Sequence, residues 1–425
     1  MIAILGALTA LLALALAPFF LLMGAVLAAA VLDRLMRPWF QPSNGPAPRF
    51  LLVIPAHNEE ALIAGTVQGC LAVDYSHDLF TVHVIADNCS DQTAARAREA
   101  GARVYERFDP NLKSKGHALE SFFATIPEAH HETGTYDAAV LVDADTEVDP
   151  QLLHVFADSL YRGQDWVQAY YTVSNADVSW RTRLMTYAFS LANGVWMRGL
   201  DRLGLSVGLK GNGMCFARRG LIRFPWKAYG LVEDMEFALM LRSAGERVHF
   251  RPEAVVRGEM VSQGGPAAES QRIRWEAGRR DLRTKFRRTL LQSSHLGPIR
   301  KLIYLIDLAF PPLGLLVIQT AVLTGLVAAW IGMRAYRGVS DPTPDWLGNA
   351  LVGVWLLDIS LLGLYLLSPF LVMRLPVRYL GALLAAPAYL AWKMVRVMGR
   401  KPRSWVRTPR EASIKTATQR PEETL

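Results

Sequence analysis

An α/β domain with a mostly parallel sheet, held between transmembrane helices at both ends of the chain, is the architecture this sequence predicts. Three observations carry it. Long uncharged apolar runs lie at the two ends of the 425 residues, the middle alternates short strand-like and helix-like segments, and the acids of that middle collect just after the strand-like runs. With 51% hydrophobic residues, 20% charged residues and a formal charge of +8, the composition excludes a disordered chain and is unlike that of a soluble globule. Cys70, Cys89 and Cys215 lie far apart with no CxxC spacing, so neither a disulfide framework nor a zinc site is indicated.

Residues 1–32 contain no charge, and a helix of that length exceeds the roughly 30 Å hydrocarbon core at about 1.5 Å per residue, with tilt or a kink at Pro18 taking up the excess. The run lacks the basic start and small-residue cleavage site of a signal peptide, so a retained membrane helix is expected. Residues 308–333 are also uncharged, and 346–373 are interrupted only by Asp358. An acid inside a span raises a functional question by default, although a carboxylate paired within the helix bundle or near a polar cavity is the more ordinary expectation. A shorter apolar stretch, 379–392, carries Pro387 and merges into Lys393, Arg396, Arg400, Lys401, Arg403, Arg407 and Arg410. It predicts a helix lying in the interface with a basic tail against anionic lipid.

Basic residues cluster beside the spans at Arg34, Arg37 and Arg49, along 279–301, and at Arg374 and Arg378. The positive-inside rule then places the large middle segment in the cytoplasm. The expected organisation is a membrane helix over 1–33, a catalytic domain over 48–301, two membrane helices over 302–374, and an interfacial helix with a cytoplasmic tail over 375–425.

Within the middle segment, FLLVIP (50–55) and TVHVI (81–85) predict the first two strands, 103–105 a short third and AAVLV (138–142) the fourth. Helices are expected at 61–70 and 92–100. Open sheets of this kind bind ligands beyond the carboxyl ends of their strands. Asn58 and Glu59 follow the first strand, Asp87 the second, and Asp143 with Asp145 the fourth, so one crevice can collect them all. Asp91 precedes a helix and suits an N-cap. Asp143 and Asp145 are two apart, and in an extended chain both carboxylates project to the same side, toward one divalent cation and a diphosphate.

LVEDME (231–236) sets Glu233, Asp234 and Glu236 at a helix start, where the macrodipole favours acids and where one of them can act as general base toward a hydroxyl. In QRIRW (271–275), Gln271, Arg274 and Trp275 are spaced i, i+3, i+4 and align on one helix face.

Taken in order, IPAHNEE (54–60), ADNCSD (86–91), KSKGHAL (113–119), DAD (143–145), KGNGMCF (210–216), ED (233–234) and QRIRW resemble the family 2 membrane glycosyltransferases, the group of the cellulose, hyaluronan, chitin and poly-N-acetylglucosamine synthases. The resemblance spans some 220 residues of the middle segment and the membrane parts in layout only. It implies a GT-A fold and an inverting transfer of a sugar from a UDP-sugar to an acceptor hydroxyl at a bacterial plasma membrane. By the same resemblance Pro55, His57, Asn58 and Glu59 line the nucleotide pocket and Asp87 recognises uracil. Asp143 and Asp145 bind the diphosphate through magnesium or manganese, Lys115 is a further donor contact, and Gly211, Asn212 and Gly213 form the acceptor-side wall. Asp234 is the implied base beside Glu233, and Gln271, Arg274 and Trp275 hold the diphosphate and the acceptor.

The sequence departs from the large processive synthases in having no FxVTxKG segment after Phe250 and only two spans after the catalytic domain. Export of a polymer then needs a homo-oligomer or a partner subunit, and transfer of one sugar to a lipid-linked acceptor is as well supported as lengthening of a saccharide. The end WVRTPR (405–410) looks like that of some smaller bacterial members. A polyprenyl-phosphate sugar transferase is the alternative, but a phosphate nucleophile needs neither Asp234 nor QRIRW. A non-catalytic scaffold is expected to lose one of Asp87, Asp145, Asp234 or Arg274, and a transporter to carry its polar chemistry inside the spans. No nucleic-acid partner is expected.

Overall fold

The computed structural model describes residues 2–38, 40–41, 45–125, 136–337 and 345–397. Its first half is the predicted alternation: β1 (Phe50–Ala56), α2 (Ile63–Leu71), β2 (Phe80–Asp87), α3 (Thr93–Glu99), β3 (Arg103–Arg107), α4 (Lys115–Thr125) and β4 (Ala138–Leu141). The second half continues with β5 (Thr146–Val148), α5 (Leu152–Tyr161), β6 (Trp166–Val173), α6 (Trp180–Phe189), a π-helical turn Ser190–Val195, α7 (Trp196–Arg202), β7 (Met214–Ala217), α8 (Arg218–Arg223), α9 (Glu233–Ser243), β8 (Val248–Gly258) and α10 (Pro266–Gln292). The strands form one sheet in the order β3-β2-β1-β4-β7-β6-β8-β5.

Parallel ladders join β1 to β2 and β4, β2 to β3, and β6 to β8. The mostly parallel sheet expected from the sequence is thus mixed in its second half, where β7 runs antiparallel to both β4 and β6, and β5 to β8. Because β1 is apolar on both faces, its alternate residues feed two cores. Phe50, Leu52 and Ile54 pack with α2 and α5, while Leu51 and Val53 pack with α4, α9 and, from the membrane helix, Leu22 and Val26. Burying a side chain of that size is worth about 1.5–3 kcal/mol, so the first membrane helix is part of the catalytic core.

That helix, α1 (Ile2–Met36), runs through Pro18 without interruption. Among the described residues three helices are long and apolar enough to cross a membrane: α1, α12 (Leu313–Arg337) and α13 (Asp345–Val372). The second apolar run starts later than the sequence indicated. Leu308 belongs to a separate amphipathic helix, α11 (Pro298–Ala309), and Phe310-Pro311-Pro312 separates the two, since proline lacks the N–H and disfavours helix in the residue before it. The expected single interfacial helix over 379–392 is instead a 3₁₀ segment, Val377–Ala385, followed by α14 (Ala386–Arg396), with Pro387 in the first turn of α14 where its missing N–H costs least. The basic tail with Arg400, Lys401, Arg403, Trp405, Arg407 and Arg410 lies outside the described residues.

Membrane and catalytic parts are joined by close backbone approach and buried charge. A Cβ on Gly199 of α7 would stand 2.1 Å from the Val26 carbonyl oxygen of α1, so only glycine lets the two helices touch. Near the end of α1, buried Asp33 accepts from Arg37 at 3.0 Å and from Arg198 of α7 at 2.7 Å, and Arg198 also donates to the Val372 carbonyl at the end of α13. Asp358 is 2% exposed within the span α13, and its Oδ2 has no hydrogen-bond partner among the described residues. The pairing expected of it is absent at that oxygen.

Candidate active site

The carboxyl ends of β1, β2 and β4 open into a cavity of about 730 Å³. Pro55, His57 and Glu59 enter it from the end of β1 and Asp87 from the end of β2. The β2–β3 register places Arg107 beside Asp87, and the pair is 2.5 Å apart, which fixes the carboxylate in one orientation. His57 Nδ1 lies 2.7 Å from the Asp87 carbonyl oxygen, tying the two strand ends together. Asn58 does not reach the cavity. It holds the turn after β1 in the left-handed region, φ 56°, and its Oδ1 accepts the Ser90 N–H at 2.8 Å. The N-cap of α3 is Gln92 and not Asp91 as expected; Asp91 lies one residue earlier, in the turn, where it accepts the Thr93 N–H at 3.0 Å.

After β4 the chain turns, so Asp143 and Asp145 are not on an extended segment as the spacing argument assumed; both nevertheless line the cavity. The turn is held from behind by Asn212, which is fully buried: its Oδ1 accepts the Asp143 N–H at 3.2 Å and its Nδ2 donates to Thr146 Oγ1 at 2.8 Å. Of the three residues expected to form a wall, only Gly211 faces the cavity. Gly213 sits under the sheet, where a Cβ would meet Val256 at 2.6 Å.

Lys115, the first residue of α4, reaches across to Asp143 at 2.5 Å and donates to the Gly211 carbonyl at 2.7 Å. Burial alone would lower its pKa, but the carboxylates of Asp143 and Glu233 outweigh burial and hold it above the ordinary lysine value.

The opposite side comes from two helices. Glu233 and Asp234 occupy the first turn of α9, as the acid cluster predicted, and both face the cavity. Glu236 turns away, accepting the Gly230 N–H at 2.8 Å and pairing with Lys285. Burial pushes Glu233 up to about 7, with the neighbouring Asp234 adding to the effect against Lys115. Asp234 is raised as well, chiefly by burial, with the N–H of Met235, Lys115 and Lys210 opposing it. A Cβ on Gly211 would lie 3.4 Å from Asp234 Oδ2, so the missing side chain is what leaves room beside that carboxylate. On α10, Gln271, Arg274 and Trp275 share one face and all three line the cavity. The Arg274 Nε is buried with no hydrogen-bond partner among the described residues.

The site therefore gathers thirteen of the sixteen residues expected from the sequence and leaves Asn58, Asn212 and Gly213 behind it as supports. Sequence reasoning missed Arg107, because the third strand was expected to stop at residue 105, and Lys210, whose place next to the recognised glycines was the available signal. Lys210 lines the cavity, and burial followed by repulsion from Arg279 lowers it to about 8. No cluster of three metal-ligating side chains occurs among the described residues. Two carboxylates in one turn still suit a hard cation that takes its remaining ligands from water and phosphate oxygens. The buried, unpartnered Arg274 Nε is a ready donor to such phosphates.

A sheet of this order, with acids at its strand ends facing a carboxylate on a helix across the cavity, defines a nucleotide-sugar transferase of the GT-A fold. Residues 47–278 match the model of the glycosyltransferase-like family 2, and the chain belongs to that family. A Mesorhizobium japonicum protein named N-acetylglucosaminyltransferase is 26% identical over 303 residues, 67% of each chain. The β-monoglucosyldiacylglycerol synthase of Synechocystis is 26% identical over 246 residues, 56% of this chain and 49% of that one. The fold also matches the mannosyltransferase PcManGT of Pyrobaculum calidifontis, solved with GDP-mannose and Mn²⁺, with a TM-score of 0.50, 18% identity and coverage of 92% of this chain and 99% of that chain.

Proposed function

We propose that this glycosyltransferase moves a hexosyl or N-acetylhexosaminyl group from a UDP-sugar to an acceptor hydroxyl at the cytoplasmic face of a bacterial plasma membrane, with inversion at the anomeric carbon. The carrying observation is that one cavity is lined by Asp87, Asp143 and Asp145 together with Asp234 and Arg274. The Synechocystis relative is named for a lipid product, which supports a lipid-borne acceptor over a phosphate one, and the Mesorhizobium relative for the N-acetylglucosaminyl group that it transfers.

In this reading the Asp87 carboxylate, braced by Arg107, accepts from the base. Asp145 and Asp143 hold a divalent cation, magnesium or manganese, with Asp145 the stronger ligand because Lys115 already neutralises Asp143. A cation bound by these two carboxylates would supply neutralisation of the charge that grows on the departing diphosphate. Arg274 donates to the same phosphates. Asp234 takes the acceptor proton as its oxygen attacks the anomeric carbon, and the carbon–phosphate-oxygen bond breaks with its electron pair leaving on UDP. This assignment uses a single displacement, with no covalent glycosyl intermediate. The basic residues flanking the spans support a cytoplasmic site over 48–301, with α1 and the 302–374 helices beside it.

The test is UDP release by detergent-purified protein across a panel of UDP-sugars, with and without membrane lipid extract. Turnover of one donor only when lipid is present is expected, and a chelator should abolish it. Full turnover without divalent ion would remove the metal role of Asp143 and Asp145, and activity with GDP-mannose alone would overturn the uridine assignment.

The raised pKa values give a second test. A base must be ionised, so activity falls as pH drops through the raised pKa of the Glu233–Asp234 pair, nearer neutrality than for an ordinary carboxylate. The Asp234 charge is one of the causes that raise Glu233, so Asp234 ionises first, beside a protonated Glu233 that glutamine mimics. The acid limb of the kcat profile should therefore stay in place in E233Q; a limb that shifts or disappears means that Glu233, not Asp234, is the titrating base.

A further inference from the structure

A second cationic site lies at the membrane edge of the catalytic cavity. Arg181, in the first turn of α6, is caged by aromatic rings, with its guanidinium carbon 4.7 Å from the Trp392 ring centre, 5.7 Å from Tyr389 and 5.5 Å from Trp180. Its Nε is buried with no hydrogen-bond partner among the described residues. Beside it, Arg272 of α10 leans on Met185 Sδ and lies 4.6 Å over the Trp275 ring. Glu276, one turn further along α10, is committed to Lys393 at 2.5 Å. No ion pair joins either guanidinium to an acid among the described residues, and the two are close enough that Arg272, after burial itself, helps to lower the pKa of Arg181. Glu276 acts on Arg272 only at longer range, so two guanidiniums of like charge are held together with no carboxylate in contact, an arrangement suited to an anion that arrives from outside.

The position says which anion. Arg181 and Arg272 line a small cleft whose other walls include Gln271 and Met260, and both of those also line the catalytic cavity. The cleft is roofed by Tyr389 of α14, and α14 with the preceding 3₁₀ segment turns Val395, Leu384 and Val377 outward at 74%, 87% and 73% exposure. That apolar face, flanked by Lys393 and Arg396, suits the plane of a bilayer. An acceptor approaching from the lipid would pass this point just before its hydroxyl reached Asp234.

We propose that Arg181 and Arg272 bind the phosphate of an anionic lipid acceptor, whose free hydroxyl then lies in the catalytic cavity. The inference rests on the transferase reading above and narrows its acceptor to a lipid that carries both a hydroxyl and a phosphate. The cleft has room for about one water as it stands, some 10 Å³, so binding swings Arg272 off Met185 to make space.

The experiment titrates the full-length, detergent-purified protein with dihexanoylphosphatidylglycerol, which has hydroxyl and phosphate, and with dihexanoylglycerol, which has the hydroxyl alone. Tryptophan emission is followed, since Trp180, Trp275 and Trp392 all surround the two arginines, and UDP affinity is measured on the same samples. Saturable binding of the phospholipid is expected, weakened about 10- to 100-fold in both R181M and R272M, the range for a hydrogen bond to a charged group, with partial recovery in R181K. Equal binding of both lipids, competition by equimolar inorganic phosphate, or variants that bind the phospholipid like wild type would each overturn the proposal. So would variants that lose UDP and phospholipid binding together, which marks Arg181 and Arg272 as packing residues. Failure of the transferase reading is seen separately, as intact binding of UDP and phospholipid with no sugar transferred from any donor.

Discussion

Asp234→Asn is expected to reduce sugar transfer by about 10²–10⁴-fold, the usual contribution of a positioned general base, while UDP affinity stays close to wild type. The amide has the shape of the carboxylate and keeps the cavity filled, but it cannot accept the hydroxyl proton. The substitution keeps the side-chain shape, so the contacts proposed for Asp87 with the base and for Asp143 and Asp145 with the diphosphate keep their geometry. Stability should move the other way. The folded-state pKa of Asp234 is raised by burial, so ionising it costs folding energy that grows as pH rises above the unfolded carboxylate value. Asparagine removes that cost, and D234N should melt at or above the wild-type temperature at neutral pH. An inactive variant that is also less stable would signal a packing defect. Residual transfer near wild type would shift the base to Glu233, whose glutamine variant would then be the inactive one.

The donor half of the site was legible because each of its acids follows an uninterrupted apolar strand, and a buried parallel strand has one place to put a polar residue, its end. The helix face of Gln271, Arg274 and Trp275 was legible for a similar reason, since their spacing allows one direction only. What escaped was set by tertiary partners. Asn212 stands between two residues that look like site residues, yet it is fully buried, because the turn after β4 needs an amide to accept from Asp143 N and donate to Thr146. β7 is apolar in the same way as β4, and nothing in four buried residues tells whether the strand pairs parallel or antiparallel. Arg107 lay beyond the apparent end of β3 because a charged residue at an edge strand reads as solvent, and only the register with Asp87 gives it a partner. In the membrane part, apolar composition ran continuously through Leu308 and Leu313, and the break there is made by Pro311 and Pro312.

Asp33→Ala should destabilise the folded protein by about 3–5 kcal/mol, the cost of removing one partner from a buried ion pair. Asp33 is buried near the carboxyl end of α1, where the helix dipole disfavours an acid, so its presence is explained by what it holds. It accepts from Arg37 in the next turn and from Arg198 of α7, and Arg198 continues to the last carbonyls of α13. Without the carboxylate, Arg37 keeps contacts with Glu253 at 3.4 Å and Asp201 at 3.8 Å, whereas Arg198 is left 8% exposed with the Val372 carbonyl alone. The loss therefore falls on the junction where α1, α7 and α13 meet, and it should loosen the membrane helices from the sheet before the sheet itself opens. Two measurements separate this from general unfolding. The melting temperature of D33A should fall, and hydrogen exchange should rise first in α7 and at the start of β8, with β1 and β2 still protected. The double variant D33A/R198M should recover part of the loss, because it removes the stranded charge along with its partner. Exchange that rises uniformly, or a double variant less stable than D33A, would show that the junction is held by the apolar contact of Gly199 with Val26 and that the ion pair is incidental to it.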